Sequence, residues 1–134
     1  MIKTSVKNLS CLLLFCILLW PSVVKSQKAY EAISYAARFS GQQIKLIFAE
    51  GYIGASEVTV LKAGTKRKDL FIPDQGFIGK DRQLKFSAYK TSAAAAGDTF
   101  VLTGIEEFYD QLPKVINGVY TKAGKRYSIR FIKQ

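Results

Sequence analysis

The chain contains no histidine, and its only cysteines, Cys11 and Cys16, lie near the N-terminus. Without histidine there is no ordinary general base for a Ser or Cys nucleophile and no imidazole ligand for a transition metal. With neither histidine nor a cysteine beyond residue 16, a structural zinc site and a disulfide framework are both excluded from the rest of the chain. The single Asn-x-Ser/Thr sequon starts at Asn8, so no glycosylation is implied downstream. Proline is also scarce, with three residues at positions 21, 73 and 113. No glycine-rich phosphate motif is present, because neither Gly-containing tetrad described below continues into a dinucleotide fingerprint or a P-loop.

What is present begins with an export pattern. Lys3 and Lys7 precede an apolar block from Cys11 to Trp20, Pro21 breaks it, and Val24-Lys25-Ser26 supplies small residues before Gln27. That block has about half the length of a membrane-spanning helix, which needs about 20 residues. The expectation is a signal peptide over residues 1–26, cleaved or retained as an anchor, followed by one domain over 27–134. The second part carries 17 Lys and Arg against 10 Asp and Glu. Such a balance favours an anionic partner, and for an exported protein the candidates are an envelope protein, an acidic polysaccharide or lipid headgroups, with nucleic acid the least favoured.

Gly51-Tyr52-Ile53-Gly54 returns almost unchanged as Gly76-Phe77-Ile78-Gly79. Each tetrad stands between strand-like segments, so each reads as a glycine-bracketed turn with one aromatic residue and one Ile at its tip. They are either paired structural corners or two halves of a binding rim in which Tyr52, Ile53, Phe77 and Ile78 take part.

The remaining pattern alternates with a period of two. Ile33, Tyr35, Ala37 and Phe39 fall on one side of the segment from Glu31 to Phe39, which favours a strand over the helix that its alanines suggest. Ile44, Leu46 and Phe48 follow after a Ser40-Gly41 turn, and further strands are expected over 57–62, 70–72, 84–90, 99–105, 114–121 and 126–132. Gly118 reads as a β-bulge, 91–98 as a flexible surface loop, and Glu106 to Leu112 as one helical turn stopped by Pro113. About eight short strands with no room for crossover helices predict an all-β fold, an antiparallel sandwich or small barrel.

Two further groups of residues have chemical potential. Lys66, Arg67 and Lys68 cluster in one turn, while Arg126 and Arg130 share a face of the last strand, either as a cationic strip or as charges that protect a sheet edge. Glu106, Glu107 and Asp110 are spaced to meet on one helical turn, where they could act as acid and base or hold Ca²⁺. The favoured reading is a non-enzymatic binding module of the bacterial envelope that contacts an anionic or amphipathic partner through the tetrads and nearby cations. It requires no cofactor. The alternatives are a small carboxylate-dependent hydrolase and a purely structural envelope protein.

Overall fold

The computed structural model describes residues 30–90 and 93–134. The expected signal segment with residues 27–29, and Thr91 and Ser92 at the start of the alanine-rich loop, lie outside the described residues. Eight strands run in order: β1 (Glu31–Phe39), β2 (Gln42–Glu50), β3 (Glu57–Leu61), β4 (Lys68–Pro73), β5 (Leu84–Tyr89), β6 (Thr99–Thr103), β7 (Val115–Lys122) and β8 (Lys125–Lys133). Each pairs antiparallel with the next, and β8 returns to β1, closing an up-and-down barrel. Between the two architectures left open by the strand pattern, the chain adopts the barrel.

Alternation explains which side of each strand faces inward. Tyr35 and Ala37 are buried while Ala32 and Arg38 are exposed, so residues 31–39 form a strand despite their helix-favouring composition. A strand lets β1 bury a continuous apolar face, and that gain outweighs the weak local preference of alanine for a helix. All eight strands send buried side chains inward, and the interior of an eight-stranded barrel is only just wide enough to take them. Phe100 lies at the centre of the aromatic packing. Its ring stacks on Tyr120 at 4.2 Å and meets Phe71 edge-on at 4.9 Å.

Gly118 differs from the expected bulge. It pairs in register with Leu102 on one side and Ile129 on the other. A Cβ at this position would lie 3.0 Å from the Val101 carbonyl oxygen and 3.4 Å from Leu102 Cδ2. The glycine therefore leaves room for its neighbours' side chains within a regular strand. The helical turn expected over 106–112 is also absent, because the backbone there bends across the barrel end and bonds to other loops. In the alanine-rich loop, Ala93–Ala95 form a short 3₁₀ turn and Ala95 is buried against the barrel.

Because every connection joins neighbouring antiparallel strands, the connections alternate between two ends. The β1–β2, β3–β4, β5–β6 and β7–β8 connections share the hairpin end. Two of them are two-residue turns with left-handed backbone at both positions, Ser40-Gly41 (φ 49° and 75°) and Ala123-Gly124 (φ 50° and 78°). The β2–β3, β4–β5 and β6–β7 connections share the tetrad end.

Candidate binding surfaces at the two barrel ends

Both tetrads lie at one end and touch. A Cβ on Gly54 would be 3.9 Å from Gly76 Cα. In the first tetrad, the Ala55 N–H donates to the Tyr52 carbonyl and the Ser56 N–H to the Ile53 carbonyl, each at 3.0 Å, closing a 3₁₀ turn over Ile53–Ala55. The Ala49 N–H donates to Ser56 Oγ at 2.9 Å and anchors that turn to the end of β2. This geometry turns Ile53 into the core, where it is 3% exposed, and leaves Tyr52 outside at 59%, packed on Tyr30. Phe77 is 56% exposed, whereas Ile78 is half-buried against the core. Of the four rim residues expected from the sequence, the two aromatics face solvent and the two isoleucines pack inward. Their places follow from the turns, which can expose only one side.

Glu107 ties this end together. Its side-chain Oε1 accepts the Ile78 N–H at 2.9 Å, and its backbone carbonyl accepts the Gly51 N–H at 3.4 Å. One residue thus bonds to both tetrads. Glu50 supports it by accepting the Tyr109 N–H at 3.2 Å, and the Tyr109 hydroxyl accepts the Glu106 N–H at 2.8 Å. The Tyr35 hydroxyl donates to the Pro113 carbonyl at 2.8 Å and holds the far end of the same loop. Phe108 projects from this loop at 68% exposure, a third outward aromatic residue at the tetrad end. It was missed in the sequence because the segment reads as an acidic helical turn; the available signal was a large apolar residue between polar neighbours with no alternating partner.

The three loop carboxylates are not gathered into an acid–base pair. Glu107 bonds to the backbone, Glu106 pairs with Arg82 at 3.4 Å, and Asp110 is exposed. Among the described residues no cluster of three His, Cys, Asp or Glu side chains is placed to hold a metal ion.

The cations expected to accompany the tetrads lie elsewhere. Lys66, Arg67 and Lys68 occupy the β3–β4 connection and the start of β4, and Arg126 begins β8, so all four belong to the hairpin end. Arg130 faces outward midway along β8, opposite Asn117. That strand is not a free edge, since it pairs with both β7 and β1. The hairpin end also carries Arg38, Lys62, Lys90, Lys122 and Lys125. Its two carboxylates, Asp69 and Asp98, are both buried, the first 3.8 Å from Lys62 Nζ and the second accepting the Ala123 N–H at 3.1 Å. The other eight carboxylates lie at or beside the tetrad end. The barrel is electrically polar, cationic at one end and acidic with exposed aromatics at the other.

Beneath the hairpin end, Gln42, Asp69, Asp98 and Tyr120 line a small pocket of about 240 Å³. Burial, and after it the negative charges of Asp98 and Asp69, pushes the Tyr120 hydroxyl up to about 12. Burial likewise pushes Tyr35 up to about 12, with Tyr109 and Glu50 adding to it. A tyrosine ionises near pH 10 in the unfolded chain, so the folded state retains these protons to higher pH. Their contribution to stability is complete below pH 10 and is lost as pH rises from 10 to about 12. Denaturant midpoints are therefore expected to fall across this window, and Tyr120→Phe to make the fall shallower; an equally steep fall in that variant would contradict the assignment.

A shallow groove of about 790 Å³ crosses the outer wall of β1 to β4 around Lys45, lined by Ile47, Glu57, Thr59 and Leu70. Among the described residues no helix is long and apolar enough to cross a membrane, which leaves open what strands can do. The fold defines the class, a small closed eight-stranded antiparallel β-barrel with two chemically distinct ends. The chain matches no family model, no curated protein and no solved structure.

Proposed function

We propose that the protein is an exported, non-enzymatic binding module of the cell envelope that holds an amphipathic partner at its tetrad end. The observation that carries this reading is the exposure of Tyr52, Phe77 and Phe108 on three loops, two of them, the tetrads, bonded to the third through Glu107. Large aromatic side chains held outward by hydrogen-bonded loops offer apolar contact area with little ordering cost, a common property of contact surfaces. Glu50, Asp74, Asp81 and Asp110 belong to or border the same three loops, so a partner with an apolar patch bordered by cations is the complementary one. Export is supported by the order of charge, apolar block and small residues before Gln27.

A photoreactive amino acid placed in turn at positions 52, 77 and 108 tests this reading in cells that make the protein. All three positions are expected to give one common adduct of defined mass in the envelope fraction, while position 89 at the hairpin end does not give it. Three unrelated adduct patterns, or an equal yield from position 89, would remove the tetrad end as the contact surface.

A further inference from the structure

We infer that the hairpin end is a docking face for an anionic lipid surface. This inference stands on charge and shape at that end and does not depend on what the tetrad end binds. The cations belong to all four connections: Arg38 before the first, Lys66 and Arg67 in the second, Lys90 in the third, and Lys125 and Arg126 beside the fourth. They therefore form a ring around the barrel end and not a line along its wall. Both carboxylates at this end are buried and internally engaged, so they subtract little from the field outside. The acidic groups of the opposite end make the whole barrel a dipole that turns its cationic face toward a negative surface.

Shape selects the occupant. The tips of this end carry small residues, Gly41, Gly64 and Ala123-Gly124, and Tyr89, the one large exposed apolar side chain here among the described residues, lies beside Lys90 with the ammonium 5.3 Å from its ring. Among the described residues no large apolar side chain projects from the turn tips as a wedge, so the face rests on a surface without entering it. A plane of anionic headgroups meets every member of such a ring at once, each within a screening length of about 8–10 Å. A linear polyanion would meet only part of the ring at a time. Each Lys or Arg held near an anionic bilayer strengthens binding roughly fivefold.

The test is co-sedimentation of the full chain with vesicles of phosphatidylcholine alone or mixed with phosphatidylglycerol. Lys66→Gln/Arg67→Gln/Lys68→Gln is compared with Lys80→Gln/Lys114→Gln/Lys133→Gln, which removes the same charge from the tetrad end. Residues 1–29 are identical in both variants, so any contact they make with vesicles cancels in the comparison. The wild-type chain is expected to bind more tightly when phosphatidylglycerol is present, and to lose that increment at about 0.5 M salt. The hairpin-end variant should lose roughly a hundredfold of the increment, and the tetrad-end variant no more than about twofold. Binding indifferent to phosphatidylglycerol overturns the inference, as does an equal loss in the two variants. So does retention by a soluble acidic polysaccharide while vesicles leave the protein in the supernatant. Unchanged melting temperatures establish that both variants fold, as expected for exposed side chains.

Discussion

Phe100→Ala is expected to destabilise the barrel by about 3–5 kcal/mol, the largest effect of any single substitution considered. Phe100 is 1% exposed, stacks on Tyr120 with an interplanar angle of 2°, and meets Phe71 edge-on. Truncation removes the apolar transfer energy of the ring and leaves a cavity that these neighbours cannot fill, because Tyr120 is fixed in β7 and Phe71 in β4. The loss also removes three aromatic contacts, to Tyr120, Phe71 and Phe131, of a kind worth about 0.5–1.5 kcal/mol each beyond burial. A small domain has about 5–15 kcal/mol in total, so the variant should unfold at much lower denaturant concentration. Urea unfolding followed by circular dichroism reads the change directly, and a loss below about 1 kcal/mol would mean that the core is not organised around this ring. Phe100→Leu should retain a larger part of the stability than Phe100→Ala, since it keeps most of the apolar volume without the stacking.

Glu107→Ala is expected to cost about 1–3 kcal/mol, concentrated at the tetrad end. The Ile78 N–H is partly buried and loses its acceptor, while the bond from the Gly51 N–H to the Glu107 backbone carbonyl survives the change. The second tetrad should therefore loosen more than the first. Hydrogen exchange at the Ile78 amide should accelerate with little change at the paired amides of β2 and β7. Glu107→Gln keeps an oxygen in place and should lose only the charge-assisted part of the bond. If the Ile78 amide exchanges no faster in the Ala variant than in the wild-type chain, the Glu107 side chain is not what holds the loop.

Much of this architecture was legible in the sequence because a period of two is a direct imprint of a half-buried strand. Tyr127, Ile129 and Phe131 against Arg126, Ser128 and Arg130 mark β8 without ambiguity. Sandwich and barrel share that imprint, and only the pairing of β8 with β1 separates them. Gly118 looked like a bulge because the reason for a glycine is a neighbour's bulk, and Leu102 and Phe131 are remote in sequence. The tetrads were recognisable as turns, but the burial of Ile53 depends on a 3₁₀ turn that the glycines alone do not specify. The role of Glu107 arises from bonds to loops 29 and 56 residues away, which no local pattern encodes. Likewise, Lys66 to Lys68 are near the tetrads in sequence yet at the opposite end, since successive connections of an up-and-down barrel alternate.

The exposed aromatic side chains of the tetrad end, Tyr52, Phe77 and Phe108, are proposed to hold a partner while contributing little to the fold. The most direct test is the yield of the envelope adduct from a photoreactive residue at position 77 when Tyr52→Ser and Phe108→Ser are introduced together. The adduct is expected to fall at least tenfold while the melting temperature stays within a few degrees, because both side chains are exposed. An undiminished adduct, or a barrel that unfolds, would contradict it.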